Sequence, residues 1–160
     1  MSSRSAGTPP RQIPRFIAVE GPIGAGKTTL ARGLAASFGH ELVLELADEN
    51  PFLESFYRER ARNALATQLF FLIQRVRQLD AIRQADLFQN SRVTDFLIEK
   101  DRLFARLNLD ANELALYETV FERLVPSTPR PDLVIYLQAP VDVLIERIQR
   151  RGIAAEQLVE

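Results

Sequence analysis

Residues 16–30 read FIAVEGPIGAGKTTL, a short apolar run followed at once by Gly21, four residues, Gly26, Lys27 and Thr28. In this spacing glycines let successive backbone N–H groups face the oxygens of a polyphosphate, a lysine reaches the terminal phosphates, and a hydroxyl binds Mg²⁺. Ordinary residue frequencies give about one chance match in two hundred chains of this length. The flanks agree with the loop. FIAVE has strand composition, and the segment after Gly26 carries Leu30 and Leu34 on one helical face through Phe38, with Gly39 as its stop. The stretch therefore predicts strand, phosphate loop and helix, and assigns Gly21, Gly24, Ala25, Gly26, Lys27, Thr28 and Thr29 to a bound polyphosphate. Lys27 is one of two lysines in a chain with 20 basic residues, the rest being arginine, which suits a place where a compact point charge is needed.

The remaining chain alternates in the same way. ELVLEL at 41–46 predicts a second strand, Asn50 and Pro51 open a helix carrying PFLESFYRER, and Leu65, Leu69, Leu72, Val76 and Leu79 mark a long helix over about 64–85. RVTDF at 92–96 predicts a third strand, and ANELALYETVFERLV at 111–125 another helix. After the linker PSTPRP, DLVIYLQ predicts a fully buried fourth strand, and VDVLIERIQRR a helix stopped by Gly152. Such alternation implies an α/β fold of three layers, a mostly parallel sheet with helices on both faces.

At 160 residues the chain fits one domain. The Ser-, Pro- and Arg-rich start, without an acid, predicts a disordered tail over 1–14 and a folded domain over 15–160. A formal net charge of -1 gives no global field to attract nucleic acid or an anionic membrane, so any anion site is local. The absence of cysteine excludes disulfides and thiolate chemistry and suits a reducing compartment such as the cytoplasm. No apolar run approaches the roughly 20 residues of a membrane span.

Strand ends around a phosphate loop open onto one crevice in a parallel sheet, which makes Glu45 and Asp95 candidates for convergence on the phosphates. One carboxylate would hold Mg²⁺ or its waters, and the other would accept a proton from an attacking hydroxyl. Acids at strand ends are as often solvated loop residues. Arg147, Arg150 and Arg151 lie near the end of the last helix, where the dipole favours positive charge in any case. Gln68 and Arg75, seven residues apart, share a helix face, and a buried amide can satisfy both a donor and an acceptor on a base edge. Phe70 and Phe71 lie close enough in sequence for one of them to stack on a base, and are equally at home in a core. His40 reads as surface.

GPIGAGKTT, LVLELADENPFLESFY, TQLFFLIQRVRQL, TDFLIEKDRLFARLNLD and PDLVIYLQAPVDVLIERIQRRG, in this order, resemble the deoxyribonucleoside kinases, particularly their bacterial members, from about residue 16 to 160. The resemblance implies a P-loop kinase that moves the γ-phosphate of ATP to the 5'-hydroxyl of a deoxynucleoside with Mg²⁺. It implies that Glu45 takes the hydroxyl proton, that Tyr57 and Glu156 bind the sugar 3'-hydroxyl, and that Gln68, Arg75 and Asp101 hold the base. Thr28 and Asp95 match the Mg²⁺ site, and Arg147 and Arg151 match lid arginines. It leans towards deoxyadenosine and deoxycytidine. It also implies a homodimer, for which the stripe from Leu65 to Leu79 and the apolar face of 111–125 are candidates, although the default for such stripes is intramolecular core.

Departures from the family pattern fall at Leu46, where many relatives have proline, at Phe96 and Leu97, where animal members have Arg and Ser, and at Ile153, where relatives often have an arginine. The family chain continues past the lid into a further helix and a fifth strand, so the four strands visible here imply an open sheet edge and a C-terminal truncation. The alternatives are a nucleoside monophosphate kinase, which needs extra arginines for its acceptor phosphate, an inactive nucleotide-binding fragment, and a motion-coupled ATPase, which needs partner domains.

Overall fold

The computed structural model describes residues 13–85 and 91–152. The expected tail, except for its last two residues, and the expected site residue Glu156 lie outside the described residues. The elements are β1 (Phe16–Glu20), α1 (Lys27–Phe38), β2 (Glu41–Val43), α2 (Leu53–Arg58), α3 (Arg60–Ala85), β3 (Arg92–Thr94), α4 (Glu99–Asn108), α5 (Ala111–Leu124), β4 (Leu133–Tyr136) and α6 (Val141–Arg151). Short 3₁₀ turns occupy Ala47–Glu49 and Val125–Ser127.

All four strands are parallel in the order β2-β3-β1-β4, with Ile17 opposite both Val93 and Leu133. Alternate side chains of a strand face opposite ways, so the sheet feeds two cores. Ile17, Val19 and Val93 pack on Ala31 and Ala35 of α1, with Leu30 and Leu34 against them. On the other face, Phe16 and Val43 pack against Leu72, Val76, Leu79, Tyr117 and Phe121. Helices cover both faces, as the alternation of elements predicts.

Three points of packing bear on these expectations. The stripe along α3 is the centre of the second core: Leu72 is fully buried and Leu79 nearly so, beneath α4 and α5 of the same chain. It is therefore intramolecular packing. Second, β4 is an edge strand with Leu133, Val134 and Tyr136 exposed, and so is not of the fully buried kind. Among the described residues no strand pairs its outer side, and of LVIY only Ile135 packs against the core beside α1. Third, α4 has no counterpart among the expected elements, because its apolar residues do not define its buried face. Leu103, Phe104 and Leu107 point outward while Ala105 and the acid Asp101 are buried.

Helix ends follow local chemistry. Gly39 and Gly152 stop α1 and α6 in left-handed conformation at φ 66 and φ 70. Asp110 caps α5 by accepting from the N–H groups of Asn112 and Glu113, while the Glu113 carboxylate returns to the Asp110 N–H. His40 meets the Phe38 and Pro14 carbonyls through its two ring nitrogens. The parallel register places the ends of β1, β2 and β3 side by side, and these ends carry the phosphate loop, Glu45 and Asp95.

Candidate active site

From β1 the chain turns through Gly24 at φ 80 and Gly26 at φ 95 into α1. A Cβ at Gly24 would stand 2.9 Å from the Leu144 carbonyl oxygen, and one at Gly21 2.6 Å from that of Leu137, so the loop closes on its neighbours only with glycine there. The first hydrogen bond of α1 runs from Leu30 N–H to Gly26 O at 3.0 Å. The N–H groups of Lys27, Thr28 and Thr29 therefore stand at the positive helix end without intrahelical acceptors, the arrangement that binds phosphate.

Lys27 donates from Nζ to the Pro22 carbonyl at 3.1 Å, curling over the loop. Burial pushes its pKa down, with help from Lys100, against the opposing pull of Glu20, Glu45 and Asp95. An ammonium held this way gains from an arriving polyphosphate, which supplies negative charge without removing an existing partner.

Asp95, just past β3 and buried, joins the two halves of the site. Its Oδ2 accepts from Thr28 Oγ1 at 2.6 Å, and its Oδ1 accepts from the Glu45 N–H at 2.7 Å. A hydroxyl and a carboxylate are the hard oxygen donors that Mg²⁺ takes, and Mg²⁺ bound to a nucleotide needs only one or two protein oxygens beside its phosphates and waters. The pair fits that ion. Among the described residues there is no group of three acidic, His or Cys side chains that would hold a metal by protein ligands alone.

Glu45 lies two residues beyond β2, and its carboxylate accepts from Nη2 of Arg75. Arg75 also reaches Asp101 Oδ2 through Nη1 at 2.9 Å, so one guanidinium spans both acids. Burial alone would pull Arg75 down; Asp101 and Glu45 outweigh it and hold the guanidinium above its ordinary value. Burial pushes Asp101 up to about 6 against the attraction of Arg75, and Glu45 adds to the rise. The fully buried Tyr117 neighbours this carboxyl. The Phe71 ring lies 5.2 Å beneath the Arg75 guanidinium, whereas Phe70 meets Phe52 edge-on. Gln68, two turns before Arg75 on α3, is 5% exposed, consistent with the shared face that the spacing predicts.

The raised Asp101 value has a pH signature. A carboxyl whose folded pKa exceeds its ordinary 3.8 binds protons more readily when folded, so its contribution to stability is greatest at low pH and falls as pH rises towards about 6. For the reaction, protonation below about 6 takes away one of the two charges that hold Arg75. We expect kcat/KM to fall with an acid limb near pH 6, and Asp101→Asn to flatten that limb in a pH–rate profile.

Two residues escaped the motif reading. Glu20 ends β1 and accepts from the Gly21 N–H at 2.6 Å, from the Leu97 N–H at 3.2 Å and from Lys100 Nζ at 2.5 Å. Lys100, at the start of α4, also donates to the Gly21 carbonyl at 2.8 Å. Together they brace the first residue of the phosphate loop. A signal for this was present, since the second lysine of an arginine-rich chain stands here.

Of the other expected residues, Arg147 on α6 lies over the loop, with Nη1 3.3 Å from the Gly24 carbonyl oxygen and 3.5 Å from that of Ala25. Arg151 is exposed at the end of the same helix, and Arg150 pairs with Glu146 on the surface. Tyr57 is half-buried at the end of α2, its ring against Phe56.

Comparison with known proteins bears on the family and the fold. A family model described as "Deoxynucleoside kinase" matches residues 17–160. The chain is 36% identical over 146 residues to a deoxyguanosine kinase of Bacillus subtilis (strain 168), covering 91% of this chain and 70% of that protein. It is 34% identical to a deoxyadenosine kinase of Lactobacillus acidophilus, covering 90% and 70%. Among solved structures, a deoxyadenosine kinase from M. mycoides with the products dCMP and a flexible dCDP bound superposes with a TM-score of 0.80 at 27% identity, covering 91% and 75%. The chain thus belongs to the deoxynucleoside kinase family, enzymes that phosphorylate deoxynucleosides at the expense of ATP.

Proposed function

We propose that this kinase transfers the γ-phosphate of ATP to the 5'-hydroxyl of a deoxynucleoside carrying adenine, guanine or cytosine, with Glu45 as the proton acceptor. The observation that carries the reading is the single hydrogen-bonded chain from phosphate loop to base pocket: Thr28 to Asp95, Asp95 to the Glu45 backbone, and Glu45 through Arg75 to Asp101. Lys27 and the amides of Gly24 and Gly26–Thr29 hold the donor phosphates, while the Ala25 N–H closes a turn on the Pro22 carbonyl at 3.1 Å. Mg²⁺, held by Thr28 and Asp95, would neutralise charge on the donor when bound. Glu45 lies at the junction of the two halves, where a carboxylate can take the 5'-hydroxyl proton as the alcohol attacks. Arg147 and Arg151 neutralise charge on the phosphoryl group in flight. Tyr57 and Glu156 select an acceptor with a free 3'-hydroxyl, and Gln68 reads the base edge with its amide turned either way.

We further propose a cytoplasmic homodimer. Leu103 and Leu107 of α4 and Leu116 of α5 are exposed on neighbouring helices, the kind of apolar surface a second subunit covers.

The test is ADP release from Mg-ATP with each deoxynucleoside and each monophosphate, with Lys27→Ala as the control. Turnover with nucleosides supports the reading, and turnover with monophosphates alone would replace it with a monophosphate kinase. Gln68→Ala is expected to reorder kcat/KM among the bases by about tenfold or more, the loss expected when a base-edge hydrogen bond is removed, while the KM for ATP stays within about twofold. An unchanged ranking removes Gln68 from base reading.

A further inference from the structure

The segment that carries Glu45 has little regular structure, since β2 stops at Val43 and the next turn begins at Ala47. A carboxylate on such a segment would wander, yet α3 grips it residue by residue. Gln78 Nε2 donates to the Leu44 carbonyl at 2.8 Å. Gln74 Nε2 donates to the Leu46 carbonyl at 3.2 Å and to Glu49 Oε2 at 3.2 Å. Between these two, Arg75 holds the Glu45 carboxylate and Asp95 receives the Glu45 N–H. Gln74, Arg75 and Gln78 lie at i, i+1 and i+4 of one helix, so a single rigid element fixes the carbonyls on both sides of Glu45 as well as its side chain. The carbonyl oxygens of both glutamines are buried without hydrogen-bond partners, so each amide serves this segment only as a donor.

We infer that Gln74 and Gln78 are positioning residues for the phosphoryl-transfer step, a clamp that holds the Glu45 backbone at the distance from the 5'-hydroxyl that proton transfer needs. The inference rests on Glu45 being the base. Removing the clamp leaves the phosphate loop and the base pocket intact but lets the carboxylate drift, and a displacement of about 1 Å at a reacting group can cost about a hundredfold in rate.

The experiment is a mutant cycle on the full chain: wild type, Gln74→Met/Gln78→Met, Glu45→Gln and the triple variant. The kcat of each is expressed per ATP-binding site, counted by equilibrium titration so that misfolded protein does not enter. The clamp predicts that the double Met variant loses at least tenfold in kcat with the KM for ATP within about twofold, and that the same two substitutions have no further effect in the Glu45→Gln background. Equal losses in both backgrounds mean a merely structural role and overturn the clamp, as does wild-type kcat in the double Met variant. If Glu45→Gln alone retains wild-type kcat, the base assignment itself falls, and the clamp falls with it.

Discussion

Glu45→Gln should lower kcat by about 10² to 10⁴, the range that a positioned general base contributes, while ATP affinity changes little. The amide keeps the size of the side chain and still reaches Arg75, but it accepts no proton at neutral pH. The Glu45 N–H bond to Asp95 is a backbone contact and survives the change, so the Thr28–Asp95 pair stays in place. Steady-state ADP release gives kcat, and titration with ATP gives the affinity. If affinity fell in parallel with kcat, the effect would be on the phosphate loop and not on proton transfer. Asp95→Asn makes the contrast, because that residue also holds Thr28 and its loss should disturb ATP binding as well.

Arg147→Ala is expected to cost on the order of 10³ in kcat, the lower end of what an arginine supplies to a phosphoryl group in transit. Its guanidinium already lies along the Gly24 and Ala25 carbonyls, beside the loop proposed to hold the phosphates. Arg147→Lys should restore only part of the loss, since a point charge does not bridge two oxygens as the planar fork does. Arg150→Ala provides the comparison. Its charge is answered by Glu146 on the outer face of the same helix, and a change there should leave kcat within about twofold. Equal losses at 147 and 150 would show that both act through helix stability and would remove Arg147 from the transfer step.

The phosphate loop was legible because its chemistry is local: glycine, lysine and hydroxyl act within one turn of chain, and their spacing is their geometry. Asp95 and Glu45 were legible as strand-end acids, but not their connection, since a backbone N–H of one meeting a carboxylate oxygen of the other leaves no trace in residue type. Arg75 was read as a base-pocket residue beside Asp101. The structure adds Glu45 to its partners, a contact across thirty residues of chain that helix periodicity does not report. Gln74 and Gln78 were silent in the sequence, because glutamine on a helix is ordinary and its partners here are main-chain carbonyls. β4 was misread for a related reason. An apolar run states what a strand wants to bury, and its neighbours decide whether it does so.

Gly24 governs how closely α6 approaches the loop. Its missing side chain lets the loop rest against the Leu144 backbone and the Ile148 side chain. Any side chain at position 24 would collide with the Leu144 carbonyl and force α6, Arg147 included, away from the phosphate cradle.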